Sequence, residues 1–147
     1  MRDGFVAAAA AVLVIGGAVG CSSGQASFTS ISGTLPPGTA ALIINGRDLG
    51  TTDAVQCAPD EWHTTIRTGR EASGVTVMVS NAQQLAVEFV QIRNLNGFIG
   101  SYDRALQGKA AATMTGSTYV ITGAATGFNS TKPSERTTET FAIKVSC

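Results

Sequence analysis

Charge of either sign is scarce in this chain of 147 residues: charged side chains make up 14%, and 10 Lys and Arg stand against 10 Asp and Glu. A nucleic-acid surface needs a basic excess gathered on one face, and an acidic solvating tail needs the opposite imbalance, so no nucleic-acid partner is expected. Histidine occurs once, as His63. A relay joining His63 to Asp60 or Asp103 and a serine lacks the G-x-S-x-G turn that exposes a nucleophile, and one imidazole is too few for a His-based metal site. No Cys-x-x-Cys pair exists, which argues against zinc and thioredoxin-like chemistry. Beyond the N-terminal stretch no segment carries an apolar period of 3.6 residues, so amphipathic helices are not expected. The expectation is a non-enzyme with no cofactor and no metal.

What the sequence does have begins at its start. Arg2 precedes an uncharged apolar run from Phe5 to Val19, which closes on the small residues Ala18-Val19-Gly20 before Cys21. A positive start, an apolar middle and a small-residue end are the layout of a secretory signal. With a Cys next, the site resembles the bacterial lipobox. That motif implies lipoprotein-processing enzymes that diacylate the Cys21 thiol and cut between Gly20 and Cys21. The membrane partner would then be reached through acyl chains, each buried CH₂ contributing about 0.8 kcal/mol. Residues 1–20 read as the signal and 21–39 as the lipidated Cys with a Ser/Thr/Gly/Pro tether. Such a composition cannot bury enough apolar surface to fold. The localisation expected is the cell membrane, lipid-anchored on its extracytoplasmic face within the cell envelope.

Cysteine parity agrees. Three cysteines in an exported chain leave one over, and lipid on Cys21 leaves Cys57 and Cys147 to pair in an oxidising compartment. The loop so closed spans 90 residues.

Residues 40–147 read as one antiparallel β domain. Apolar residues alternate at Val75, Val77 and Val79, at Leu85, Val87 and Phe89, and at Phe141, Ile143 and Val145, as strands buried on one face require. The phase then moves to Val90 and Ile92, which predicts a bulge or a change of sheet near Phe89. Asn45-Gly46 and Asn96-Gly97 supply the positive φ angles of two-residue hairpins. Gly69, Gly74, Asn81, Gly108, Gly116, Gly123 and Gly127 read as punctuation between strands. Cys57 is in step with Val55, and Cys147 with Val145, so both sulfurs are expected to face the core. An antiparallel sandwich or a partly open barrel fits this pattern.

Polar candidates on the body read as surface. Trp62, Thr64 and Ile66 share one strand face, which puts His63 with Thr65 and Arg67 on the other, solvent side. Asp60 and Glu61, the one adjacent carboxylate pair, read as a solvated turn after Pro59. Asp48 and Asp53 lack the spacing of a calcium loop. Asn129-Ser130-Thr131 matches the glycosylation sequon, but a lipobox implies a bacterial exporter.

The order of lipobox Cys21, Ser/Thr-rich tether, IINGRDL, AVQC ending at Cys57, NLNGFIGSY, YVITGAATG and a terminal FAIKVSC resembles the mycobacterial nineteen-kilodalton lipoprotein antigen family from about Ala41 to Cys147. The resemblance implies an envelope lipoprotein without enzymatic activity, a surface antigen or structural, host-interaction protein. It also implies sensing by host receptors of the Toll-like type through the acylated Cys21. The alternative is an envelope carrier holding a lipid or other apolar ligand, which needs a cavity of roughly 300–1,000 Å³.

Overall fold

A computed structural model of the chain describes residues 33–106 and 108–147. The signal, the cleavage pair Gly20 and Cys21, and the tether as far as Ser32 lie outside the described residues. Among the described residues ten strands follow in order: β1 (Thr39–Ile44), β2 (Arg47–Thr52), β3 (Val55–Asp60), β4 (His63–Gly69), β5 (Gly74–Ser80), β6 (Ala86–Leu95), β7 (Phe98–Asp103), β8 (Ala110–Thr115), β9 (Thr118–Asn129) and β10 (Lys132–Ser146). Among the described residues no helix is long and apolar enough to cross a membrane.

All ten strands join one antiparallel sheet in the order β2-β1-β10-β9-β7-β6-β5-β4-β3, with β8 added to β9. The two outermost strands, β2 and β3, are consecutive in the chain, so the sheet must curl until its ends meet. The fold is therefore a nearly closed barrel rather than a sandwich of two sheets. β9 serves two partners along one edge: residues 126–129 pair with β7 and residues 118–123 with β8. On its other edge it pairs with β10 from Thr118 to Asn129.

Local chemistry sets this path. Asn45 and Gly46 adopt φ of 50° and 77°, and Asn96 and Gly97 adopt 51° and 79°, the paired left-handed residues whose twist matches that of flanking strands. The change of apolar phase in β6 is a bulge at Glu88: Met78 faces Phe89 and Val79 faces Val87, leaving Glu88 unopposed. The Glu88 carbonyl instead accepts the Arg104 N–H at 3.0 Å.

Inside the barrel, Val75, Val77 and Val79 of β5 and Phe141, Ile143 and Val145 of β10 belong to one buried cluster, with Ile44, Ile66, Ile92, Phe98 and Ile121 among its other members. Burying each such side chain is worth about 1.5–3 kcal/mol.

Three expectations need correction. Gly123 and Gly127 do not separate strands; both lie within β9. A Cβ on Gly127 would stand 1.9 Å from the Ile99 carbonyl oxygen, and one on Gly123 would stand 2.7 Å from the Phe141 ring, so these glycines let β7 and a core ring approach the strand. Trp62 does not share the inward face of Ile66. It sits in the β3–β4 turn, where Glu61 takes φ of 37°, and is 57% exposed. Cys147 keeps the phase of Val145 but stands just past the end of β10 and is exposed, whereas Cys57 packs partly buried against the core.

Candidate functional site

The disulfide is the covalent feature that shapes the body. Cys57 lies on β3, at one end of the strand order, and Cys147 follows β10, third from the other end. Their Cα atoms are 6.0 Å apart and the bond is formed. The bridge therefore fastens the two sides of the curled sheet where no ladder joins β2 to β3. Cys21 and Gly20, the expected lipidation and cleavage residues, lie outside the described residues.

The polar residues singled out in the sequence are dispersed. His63 is exposed at the start of β4, opposite Asp60 on β3 and Ser80 on β5, and no ion pair joins it to Asp60. Asp103 is on β7, three strands from β4, and its Oδ1 accepts the Ala105 N–H at 2.9 Å. Asp48 Oδ1 accepts the Gly50 N–H at 2.7 Å, closing a turn. Asn129 Oδ1 accepts both the N–H and the hydroxyl of Thr131, at 3.0 and 2.8 Å, so the sequon forms the β9–β10 turn. Among the described residues no three His, Cys, Asp or Glu side chains are grouped to hold a metal ion. Burial raises the pKa of Glu139, which lies opposite the fully buried Ala125 on β9.

Arg93 was not legible as a special residue. Its Nε donates to the Glu71 carbonyl at 2.9 Å, one guanidinium nitrogen to Thr76 Oγ1 at 2.7 Å, and the other to the Arg70 carbonyl at 3.4 Å. The side chain thus holds the β4–β5 turn against β6. Beside it a depression of about 710 Å³ is lined by Asp53, Gln56, Arg67, Arg70, Glu71 and Thr76 among others. It is open and carries both signs of charge, which fits a solvated face rather than a site for one ion.

One end of the barrel gathers features from five segments. The β3–β4 turn approaches the β5–β6 loop through the Asn81 N–H, which donates to the Trp62 carbonyl at 2.9 Å. A slot of about 160 Å³ between this pair and β8–β9 is lined by Thr64, Val79, Asn81, Leu85, Met114 and Tyr119. Cys147 donates its N–H to the Ser117 carbonyl in the β8–β9 turn at 2.9 Å, and Gly38 donates to the Ser146 carbonyl at 2.8 Å. The chain coming from the N-terminus therefore enters the fold at this end. Trp62 and Met114, 57% and 49% exposed, stand around it.

These observations define a small, disulfide-fastened antiparallel β-barrel with the polar residues singled out in the sequence dispersed over it. Comparison with known proteins gives it a family. The family described as Mycobacterium 19 kDa lipoprotein antigen matches residues 33–147, and the chain belongs to it. A putative lipoprotein of Mycobacterium avium subsp. hominissuis is 34% identical over 148 residues, covering 100% of this chain and 97% of that protein. A putative lipoprotein of Mycobacterium indicus pranii is 38% identical over 135 residues, covering 91% and 96%. Lipoprotein LpqH of Mycobacterium tuberculosis is 34% identical over 158 residues, covering 100% and 99%. Membership in a lipoprotein antigen family implies association with the membrane and a place in the cell envelope.

Proposed function

We propose that the chain is a lipid-anchored lipoprotein of the cell envelope, held on the extracytoplasmic face by acyl chains on Cys21. Its β body would serve as a surface antigen, structural or host-interaction module rather than an enzyme. The observation that carries this reading is the joint one of Ala18-Val19-Gly20-Cys21 and membership in the lipoprotein antigen family across residues 33–147. Lipoprotein-processing enzymes would modify and cut at Gly20 and Cys21. Sensing by a Toll-like receptor would reside in the acylated terminus, because acyl chains are the part able to fill a large apolar pocket. The barrel supports this division of labour: its interior is occupied by its own side chains, including Phe98 and Phe141.

The carrier alternative draws less support. Depressions of about 710 and 330 Å³ are large enough for a ligand, yet they are open and lined by residues such as Arg67, Arg70, Asp103 and Arg136. Two depressions have mainly apolar lining: the slot of about 160 Å³ is below the roughly 300 Å³ such a site needs, and one of about 410 Å³ beside Tyr102, Lys109, Ala110 and Thr122 is an open surface hollow that would leave much of an apolar ligand in water.

The test is the unreduced mass of the protein extracted from its own envelope, together with fractionation of a Cys21→Ala variant. Acylation at Cys21 and release of the variant into the soluble fraction are expected. A mature chain that starts elsewhere, or a variant that stays in the membrane, would overturn the reading.

A further inference from the structure

We propose that the end of the barrel carrying Trp62 and Met114 docks onto the lipid surface to which the chain is anchored, so that the body lies against the membrane in one orientation. This rests on the reading of Cys21 as the anchor.

The argument starts from where the chain enters. Gly38 bonds to Ser146, and Thr39 pairs with the same residue, so the segment leading from Cys21 arrives beside the C-terminus. Between Cys21 and Gly33 the chain is about a dozen residues long, a maximum reach of roughly 40 Å at 3.3–3.6 Å per residue. A body joined at this point keeps this end within reach of the membrane at an effective concentration in the millimolar range, so a weak contact is enough to hold it there.

The side chains at the same end suit such a contact. Trp62, the single tryptophan of the chain, is at the tip of the β3–β4 turn and more than half exposed, a conspicuous position for the largest apolar side chain. An indole has an apolar body and a polar N–H, which suits it to the boundary between headgroups and acyl chains. Met114 on β8, half exposed, and half-buried Leu85 both line the slot next to this turn. Two apolar side chains thus line the slot at the end where Trp62 stands exposed. Asp60, Glu61 and His63 share the Trp62 turn, so charge does not draw this end toward an anionic surface. The contact is apolar and independent of salt.

Because Trp62 is the single tryptophan, its fluorescence reports this rim alone. The full acylated protein is reconstituted into phosphatidylcholine vesicles, with and without bromine on the acyl chains. Emission from Trp62 is expected to shift to the blue, to be quenched severalfold by the brominated lipid, and to be shielded from acrylamide. The same result is expected at about 1 M salt, where screening acts within about 3 Å. Met114→Asp should reduce the bromine quenching. A variant combining Trp62→Phe with Leu106→Trp moves the reporter to a residue 80% exposed on the side wall and should remain open to acrylamide and unquenched. If the protein floats with the vesicles while Trp62 stays unquenched and open to acrylamide, docking is refuted and the anchor stands. Shielding from acrylamide without bromine quenching would show a second copy covering the rim and would overturn the lipid contact. Protein that fails to float would overturn the anchor and the docking with it.

Discussion

Removing the Cys57–Cys147 bridge tests how the curled sheet is held shut. The perturbation is the double variant Cys57→Ser with Cys147→Ser, which avoids a stray thiol. The bond closes a loop of 90 residues. In the chain-entropy model a loop of that size restrains the unfolded chain by about 4.6 kcal/mol at 25 °C. Little packing is lost in return, since Cys147 is exposed and terminal and Cys57 is only partly buried. A domain of this size loses roughly 4–8 °C of Tm per kcal/mol, so a fall of roughly 20–30 °C is expected. Urea unfolding should show the same loss with a larger m, because the unlinked chain unfolds to a more open ensemble. Amide exchange should speed up first in β3, which pairs only with β4 and forms one end of the strand order. A variant that melts within a few degrees of the parent, with β3 equally protected, would refute the reasoning and show that packing alone closes the barrel.

Four further outcomes follow from named contacts. Gly127→Ala places a Cβ 1.9 Å from the Ile99 carbonyl oxygen, and because that atom is backbone the β7–β9 ladder must open; a loss of about 1–3 kcal/mol or more in urea unfolding is expected. Thr68→Val should raise stability by about 1 kcal/mol, since the Thr68 hydroxyl is buried and has no hydrogen-bond partner among the described residues; a loss of stability on calorimetry would refute this. Arg93→Gln removes the fork holding the Arg70 and Glu71 carbonyls, and tryptic cleavage after exposed Arg70 should accelerate about tenfold, as about 1.4 kcal/mol implies. Glu139 has its pKa raised by burial, so the folded state holds that proton more tightly than the unfolded state. Its ionisation therefore lowers stability as pH rises from the unfolded value of 4.5 through the raised folded value. Glu139→Gln should accordingly melt higher than the parent at neutral pH and lose that advantage below pH 4.5, read from Tm across a pH series.

How far the sequence reveals this molecule depends on how local each determinant is. The hairpins at Asn45-Gly46 and Asn96-Gly97 need only two residues with positive φ, and the bulge at Glu88 shows as one slip in an alternating pattern. Both are therefore legible. Cys57 and Cys147 pair by parity once Cys21 is set aside, although no local pattern tells how far apart two strands lie. Gly123 and Gly127 mislead because a glycine that punctuates a turn and a glycine that lets another chain approach look alike until the neighbour is known. That neighbour is the Ile99 backbone in one case and the Phe141 ring in the other. Trp62 misleads for a related reason: its phase with Thr64 and Ile66 predicts burial, but the strand stops at His63, and period two has no meaning in a turn. Arg93 is silent because its three partners lie 17 to 23 residues away on other segments. The remaining asymmetry is functional. The chemistry assigned to Cys21 is written in four consecutive residues, whereas the rim around Trp62, Leu85 and Met114 exists only because antiparallel pairing brings their segments and the entering chain to one end. A sequence can therefore display a lipobox pattern openly while concealing which side chains the fold gathers at the end where the chain enters.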